Sequence, residues 1–342
     1  MGSNNLLKDI VMRGQSRKKK AKILQIDNPN KIVESCYVGI GGIDQWITIR
    51  GEDYNNPILL FVHGGPGSTY SIFTPLLRSW EKIFTVVQWD QRGAGKTFRK
   101  NGKEASGSIT FERLTQDGIE VTEYLCKRVG QPKVILIGSS VGSLIGLKMA
   151  KQRPDLFWAY VSTDQNAPDL NGRLYILTLD ALKKASVSKG VKLVEKMGSI
   201  PSEWTRTDYE KRNRFLVKAI RGVPNMITDL ILPSLVTSPE HNVNDIFDYF
   251  KGLSFSLDHL YKELVPFDFN NIGRNFDLPF FIFQGDTDII TPTELAKDYF
   301  DEISAPYKEF VPIKNAGHLA CFAQPNQFLD ELTERVLPLI IT

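Results

Sequence analysis

The sequence predicts an α/β protein in which helices flank a mostly parallel central sheet and a helical segment is inserted late in that sheet. Three observations predict it. Short β-branched and aromatic runs such as "PILLFV", "FTVVQW" and "KVILIG" are nearly continuous in apolar character, as strands covered on both faces must be. Helical patterns lie between them, and strands that alternate with helices imply parallel pairing. The alternation stops after Ser162 and resumes only at "LPFFIFQGD".

Taken in order, residues 1–30 read as a basic amino-terminal arm whose cluster Arg17, Lys18, Lys19 and Lys20 is expected to be solvated rather than a binding patch. Gly2 suggests myristoylation, but Leu6 stands where that motif wants Ser or Thr, and "MGSNNLLKDIVMRG" lacks a signal-peptide core. The first part of the sheet domain, residues 31–165, opens with "CYVGI" and "QWITIR" joined by "GGID", followed by "PILLFV" and "FTVVQW". In "FERLTQDGIEVTEYLCKRV", Leu114, Ile119, Val121, Leu125 and Val129 recur at roughly helical spacing, and the strands "KVILIG" and "FWAYVS" follow. Residues 166–271 are helical and irregular, with "LYILTLDALKKA", "YEKRNRFLVKAI" and "VNDIFDYFKGL" as candidate helices of a cap. Such an insertion would lie over the sheet's carboxyl edge, where open α/β sheets bind ligands. Residues 272–342 return to the sheet through "PFFIFQ".

Composition excludes several function classes. The 342 residues are 42% hydrophobic and 24% charged, ordinary for a globular chain. Forty-two Lys and Arg against 39 Asp and Glu give a net charge of +3, too balanced for a nucleic-acid or acidic-membrane surface. No apolar run approaches the ~18 residues of a membrane span. Cys36, Cys126 and Cys321 have neither metal-ligand spacing nor an even count, so no zinc site and no disulfide framework is expected, and reduced thiols in a cytoplasm are the default. No metal or cofactor is expected, and the partner left open is a small-molecule or short-peptide substrate. The sequence does not indicate an oligomeric state.

The chemistry starts at "LIGSSVGSL". Gly138-Ser139-Ser140-Val141-Gly142 fits Gly-x-Ser-x-Gly between an apolar strand and an apolar helix, where the central serine occupies a strained turn and flanking glycines relieve backbone collision. Ser140 is therefore the candidate nucleophile. A serine hydroxyl needs a base to take its proton, and the chain has four histidines. His318, in "KNAGHLA" after the last strand read, follows the nucleophile in chain order, whereas His63 reads as a packing or hydrogen-bonding residue and His241 and His259 as cap or surface residues. "GDTDIITP" offers Asp288, with Asp286 as the alternative, to hold the imidazole. Backbone N–H groups of Val141 and of Gly65 in "FVHGGPG" are the expected donors to a developing oxyanion; Gly64 and Gly65 let backbone approach a substrate closely.

"HGGPG", "WDQRGAGKT", "GSSVGS", "GDTD" and "AGHLA", in that order, resemble the α/β-hydrolase fold and specifically its prolyl-iminopeptidase-like branch, over roughly residues 32 to 165 and 277 to 325. The resemblance implies Ser140 as nucleophile, Asp288 as acid and His318 as base, with Asp90 and Arg92 supporting the site. Two departures stand out. The family commonly has His or Gly before the nucleophile and Trp after it, where this chain has Ser139 and Val141. Proline-specific aminopeptidases hold a free amino terminus through cap acids near a Trp-Glu pair, and the nearest counterpart here is Glu203 before Trp204 in "PSEWTRTDYE". Gly64, Ser139, Glu203 and Trp204 are carried forward as candidate substrate-binding residues.

The reading these features favour is a cytoplasmic, cofactor-independent serine hydrolase that cleaves an ester or amide of a small molecule or short peptide through an acyl-enzyme. The alternatives are an esterase, lactonase or tailoring enzyme of the same fold and, in a different class, a non-catalytic ligand receptor built on it.

Overall fold

Alternate residues of each central strand go to opposite faces, and that period of two decides the layers. In the computed structural model, which describes residues 8–169 and 172–340, eight strands form one sheet in the order β1-β2-β4-β3-β5-β6-β7-β8. They are β1 (Ile32–Ile40), β2 (Ile43–Gly51), β3 (Ile58–Val62), β4 (Thr85–Asp90), β5 (Val134–Ser139), β6 (Phe157–Thr163), β7 (Phe280–Gly285) and β8 (Lys308–Ile313). From β4 across to β8 all pairings are parallel, while β2 is antiparallel to both β1 and β4. Leu60, Leu136 and Ile282 enter one core with Leu114, Leu144 and Tyr299; Phe61, Ile137 and Phe283 enter the other with Phe73, Trp80 and Phe328.

The helices are α1 (Arg13–Ile23), α2 (Gly95–Ala105), α3 (Phe111–Val129), α4 (Val141–Gln152), α5 (Arg173–Lys184), α6 (Ser188–Met197), α7 (Arg206–Ala219), α8 (Leu232–Thr237), α9 (Val243–Leu264), α10 (Thr293–Glu302) and α11 (Pro325–Glu331), besides shorter turns. α3 starts at Thr110, whose side chain accepts from Arg113 N, and stops at Gly130 in the left-handed region. Helices α5 to α9 fall between β6 and β7; Leu182, Val194 and Leu216 give α5 to α7 a small core of their own that reaches Ile290, while α8 and α9 pack into the two main cores.

Several expectations need correction. The basic arm is not simply solvated. Arg13, Arg17 and Lys20 recur at helical spacing on one face of α1; Arg13 donates to Val236 O (3.0 Å) and His241 O (3.2 Å), Arg17 to Ser238 O and Pro239 O (both 3.0 Å), and Lys20 to the Thr237 hydroxyl. Those acceptors sit at and just beyond the carboxyl end of α8, where unpaired carbonyls attract cations. Lys18 and Lys19 remain exposed. His241 lies within the inserted segment but not at the surface: it is 1% exposed, with Nε2 2.8 Å from Ser71 Oγ. His259 does lie at the surface. Strand β8 and helices α2 and α6 have no counterpart among the elements read from the sequence. Gly2 and Leu6 lie outside the described residues. Cys36, Cys126 and Cys321 are free thiols, and among the described residues no helix is long and apolar enough to cross a membrane.

Candidate active site

The turn from β5 into α4 holds Ser140 at φ 55° and ψ −125°, a conformation an L-residue rarely adopts without enforcement. Enforcement comes from packing: a Cβ on Gly142 would lie 2.1 Å from Val62 O, and one on Gly64 would lie 2.7 Å from Ser140 Cβ and 3.2 Å from Val141 N. The loops after β3 and β5 thus meet backbone to backbone. Ser140 N also donates to Thr163 O at 3.1 Å, tying the turn to β6.

The loop after β8 presents His318. Asp286 carboxylate oxygens accept from Asn315 N (3.2 Å) and Ala316 N (3.3 Å), fixing the approach to the histidine, and Leu319 continues it with a positive φ of 65°. Ser140 Oγ lies 3.0 Å from His318 Nε2, and His318 Nδ1 lies 2.8 Å from Asp288 Oδ2. Asp288 is itself held by Ile290 N (2.8 Å), Thr291 N (3.1 Å) and the Thr291 hydroxyl (2.8 Å). Thus Asp288 faces the imidazole, while Asp286 is exposed and braces the loop that carries it.

A second carboxylate stands behind this relay, and the sequence reading passed over it. Asp164 follows β6 with φ 53°, is fully buried, and accepts from Ala320 N (3.0 Å) and Ser139 Oγ (2.9 Å). The Tyr70 hydroxyl accepts from Gly64 N (3.3 Å) and lies 2.8 Å from Ser139 Oγ, so a continuous network runs from the β3 loop to the loop after β8. Asp164, Asp288 and His318 each bring one ligand-capable atom within 4.8 Å of the others. Burial works against a charged imidazole, but the charge and hydrogen bond of Asp288, joined by the charge of Asp164, outweigh it and raise the His318 pKa above the ordinary 6.5. Burial likewise raises the pKa of Asp164, reinforced by the charge of Asp288 and opposed by His318, Ala320 N–H and Ser139. Its sequence signal is positional: an acid directly after an apolar strand, at the same sheet edge as Asp288.

Ser140 and His318 open onto a cavity of about 490 Å³ whose lining includes Gly65, Ile227, Ile231, Leu253 and Ile290. Among the described residues no Asp or Glu lines it; Arg214 and Lys218 do. Gly65 N–H and Val141 N–H, the latter at the first position of α4, have no acceptor among the described residues. The four candidate substrate-binding residues do not gather here. Ser139 is fully buried and its hydroxyl is committed to Asp164 and Tyr70; Gly64 packs behind Ser140 with its N–H used by Tyr70. Glu203 is exposed and lines neither this cavity nor its neighbour, while Trp204 lines the neighbour and donates to Gly198 O at 2.9 Å.

The flanking motif residues are fasteners. His63 accepts from Gln91 N at 3.1 Å through Nε2 and donates from Nδ1 to Gly64 O at 2.9 Å, and burial lowers its pKa to about 4. Arg92 makes a buried bidentate pair with Asp117 (2.9 and 3.2 Å) and also donates to Ser106 O and Gly41 O. Asp90 accepts from the Thr69 hydroxyl and from Lys96 N at 2.8 Å.

Residues 57–325 match a family described as the alpha/beta hydrolase fold. A Bacillus subtilis protein named probable aminopeptidase YbaC is 32% identical over 304 residues, covering 86% of this chain and 94% of that one. A proline iminopeptidase of Lactobacillus delbrueckii subsp. lactis is 24% identical over 298 residues, covering 86% and 95%. A proline iminopeptidase-related protein from Thermus thermophilus shares the fold, with a TM-score of 0.58 at 16% identity over 91% of this chain and 99% of that one. With the family match spanning most of the chain and a relative above 30% identity along nearly its whole length, this chain belongs to the α/β-hydrolase family, in its prolyl-iminopeptidase-like branch.

Proposed function

We propose that the protein is a serine hydrolase acting on the ester or amide carbonyl of a small molecule through an acyl-enzyme. The observation that carries this reading is the relay from Ser140 Oγ to His318 Nε2 (3.0 Å) and from Nδ1 to Asp288 (2.8 Å), opening onto the cavity. As His318 takes the serine proton, Oγ bonds to the carbonyl carbon and the carbonyl π electrons move to oxygen. The N–H groups of Gly65 and Val141 receive that charge. His318 then gives its proton to the leaving oxygen or nitrogen as the bond breaks. Water repeats the sequence on the acyl-enzyme and restores Ser140. Asp288 sets the tautomer and steadies the imidazolium, the part a buried carboxylate on Nδ1 is suited to play.

The helices between β6 and β7 serve as a cap that encloses the acyl group. Ile227, Ile231, Leu253 and Ile290 favour an apolar acyl group, and the absence of a lining carboxylate disfavours a free amine. The names of the relatives support a second reading, release of an amino-terminal residue from a short peptide. Hydrolysis of acyl esters set against aminoacyl arylamides, alongside stoichiometric labelling by a fluorophosphonate, tests both. Failure of the folded protein to label would favour a binding protein on a hydrolase scaffold.

A further inference from the structure

A second cavity, also of about 490 Å³, lies beyond Tyr209, which lines both chambers. Its wall includes Asn166 after β6, Trp204 and Arg212 from the inserted segment, and Phe267 and Phe269 beyond α9. Arg212 is 2% exposed yet forms no ion pair among the described residues. Its Nε donates to the Thr178 hydroxyl (3.1 Å) and its Nη1 to Asn213 Oδ1 (3.0 Å) and Ile290 O (3.2 Å), while Nη2 is buried with no acceptor among the described residues. Asn166 Nδ2, on the same wall, is a second buried donor without an acceptor among the described residues.

Such groups are costly. A buried guanidinium is ordinarily paired with a carboxylate, and each unmade buried hydrogen bond forfeits the hydration the group had in the unfolded chain. Burial lowers the pKa of Arg212 to about 10, so it stays cationic at neutral pH. Two acids also line the chamber, but Asp169 accepts from Leu174 N (3.1 Å) and Asp268 from Asn270 N (2.9 Å) and Asn271 N (3.2 Å), and neither pairs with Arg212. The unmet demand is for an acceptor with negative charge, and the aromatic wall supplies an apolar surface beside it.

We infer that this chamber is a binding site for a small monocarboxylate with an aromatic or apolar body, its carboxylate received by Arg212 Nη2 and Asn166 Nδ2. The site rests on the chamber's own residues and not on the roles given to Ser140, His318 and Asp288. Two sources of the carboxylate fit the same chemistry: the far end of a substrate that passes Tyr209 into the catalytic cavity, or a separate ligand.

Calorimetric titration of the full-length protein with phenylacetate and with its neutral isostere phenylacetamide, at fixed ionic strength, tests the site. Phenylacetate is expected to bind saturably and about tenfold or more tightly than the amide, the difference a charge-assisted hydrogen bond makes. Arg212→Gln should abolish the preference, Asn166→Ala should weaken it several-fold, and Ser140→Ala should leave it intact. Equal binding of acid and amide, no saturable binding of the acid, or a preference that survives Arg212→Gln would overturn the proposal. Should Arg212→Gln fail to fold, the wild-type comparison and Asn166→Ala still decide. Competitive inhibition of ester hydrolysis by phenylacetate would assign the carboxylate to the substrate, and binding without inhibition would assign it to a separate ligand. Fluorophosphonate labelling, read separately, reports whether the hydrolase reading fails.

Discussion

Two adjacent serines in "GSSVGS" have been given opposite tasks by a single change of backbone direction. Ser140 turns outward toward His318, and Ser139 points inward to Asp164 and Tyr70. Ser140→Ala is expected to leave the melting temperature unchanged and remove turnover, by a factor that in serine proteases reaches ~10⁶. Ser139→Ala should retain fluorophosphonate labelling while lowering stability by ~1–3 kcal/mol, because Asp164 and Tyr70 each lose a buried partner; a chemical-denaturation curve checks the second effect. The pH profile separates the two carboxylates. His318 must be neutral to accept the serine proton, so kcat/KM should fall as pH drops through its pKa, which lies above 6.5. Removing a negative charge near an imidazolium lowers its pKa. Asp164→Asn should therefore shift that limb to lower pH with modest loss at high pH, whereas Asp288→Asn should depress kcat across the range by spoiling the tautomer, and Asp286→Asn should do much less. A limb unmoved by Asp164→Asn would remove Asp164 from the electrostatics of the site.

At the level of elements, legibility followed the strength of the period. "FERLTQDGIEVTEYLCKRV" coincides with α3, and "KVILIG" and "PFFIFQ" run one residue ahead of β5 and β7, because a covered strand or a long amphipathic helix writes its environment in consecutive residues. Strand β8, "KEFVPI", did not read as a strand because it is a half-exposed edge with Pro312 in it, and edges tolerate both polar residues and proline. Gly190 interrupted the pattern of α6, and Gly102 that of α2. The elbow and Asp288 were legible because each is attached to the end of such an element, and His318 because "KNAGHLA" follows both in chain order although β8 itself did not read; Asp164 and Arg212 were not, since their importance comes from partners 156 and 78 residues away in the chain. The basic arm illustrates the same limit: a charge run says nothing about the carbonyls it will meet. Arg13→Ala together with Arg17→Ala is expected to destabilise the protein by about 1 to 2 kcal/mol, from four hydrogen bonds onto the end of α8 and its dipole. Lys18→Ala with Lys19→Ala, matched in charge but exposed, should change the denaturation midpoint little; equal effects would mean the arginines act only through net charge.

Over the whole molecule, the sheet edge and the inserted helices together determine what the catalytic cavity can accept. The β5, β7 and β8 edges bring Ser140, Asp288 and His318 to one end, and the insertion closes over them with Val217, Met226, Ile227, Ile231 and Leu253. Formal charge on that lining is positive, from Arg214 and Lys218, and no carboxylate among the described residues offsets it. A protonated α-amine entering this space would lose hydration, meet like charge and find no partner, each of which opposes binding. The expected outcome is a preference for an uncharged acyl group, although the relatives are named for aminopeptidase activity. The direct test compares kcat/KM for a prolyl arylamide, its N-acetyl derivative and a short acyl ester. The N-acetyl compound should exceed the free amine by about tenfold or more, since ~1.4 kcal/mol of uncompensated desolvation already amounts to a factor of ten. Raising the pH past the amine's own pKa should narrow that gap, because the neutral amine no longer carries the charge the cavity rejects. A preference for the free amine would overturn the argument, and its loss on Glu203→Gln would show that the inserted segment moves to bring this exposed acid over the site.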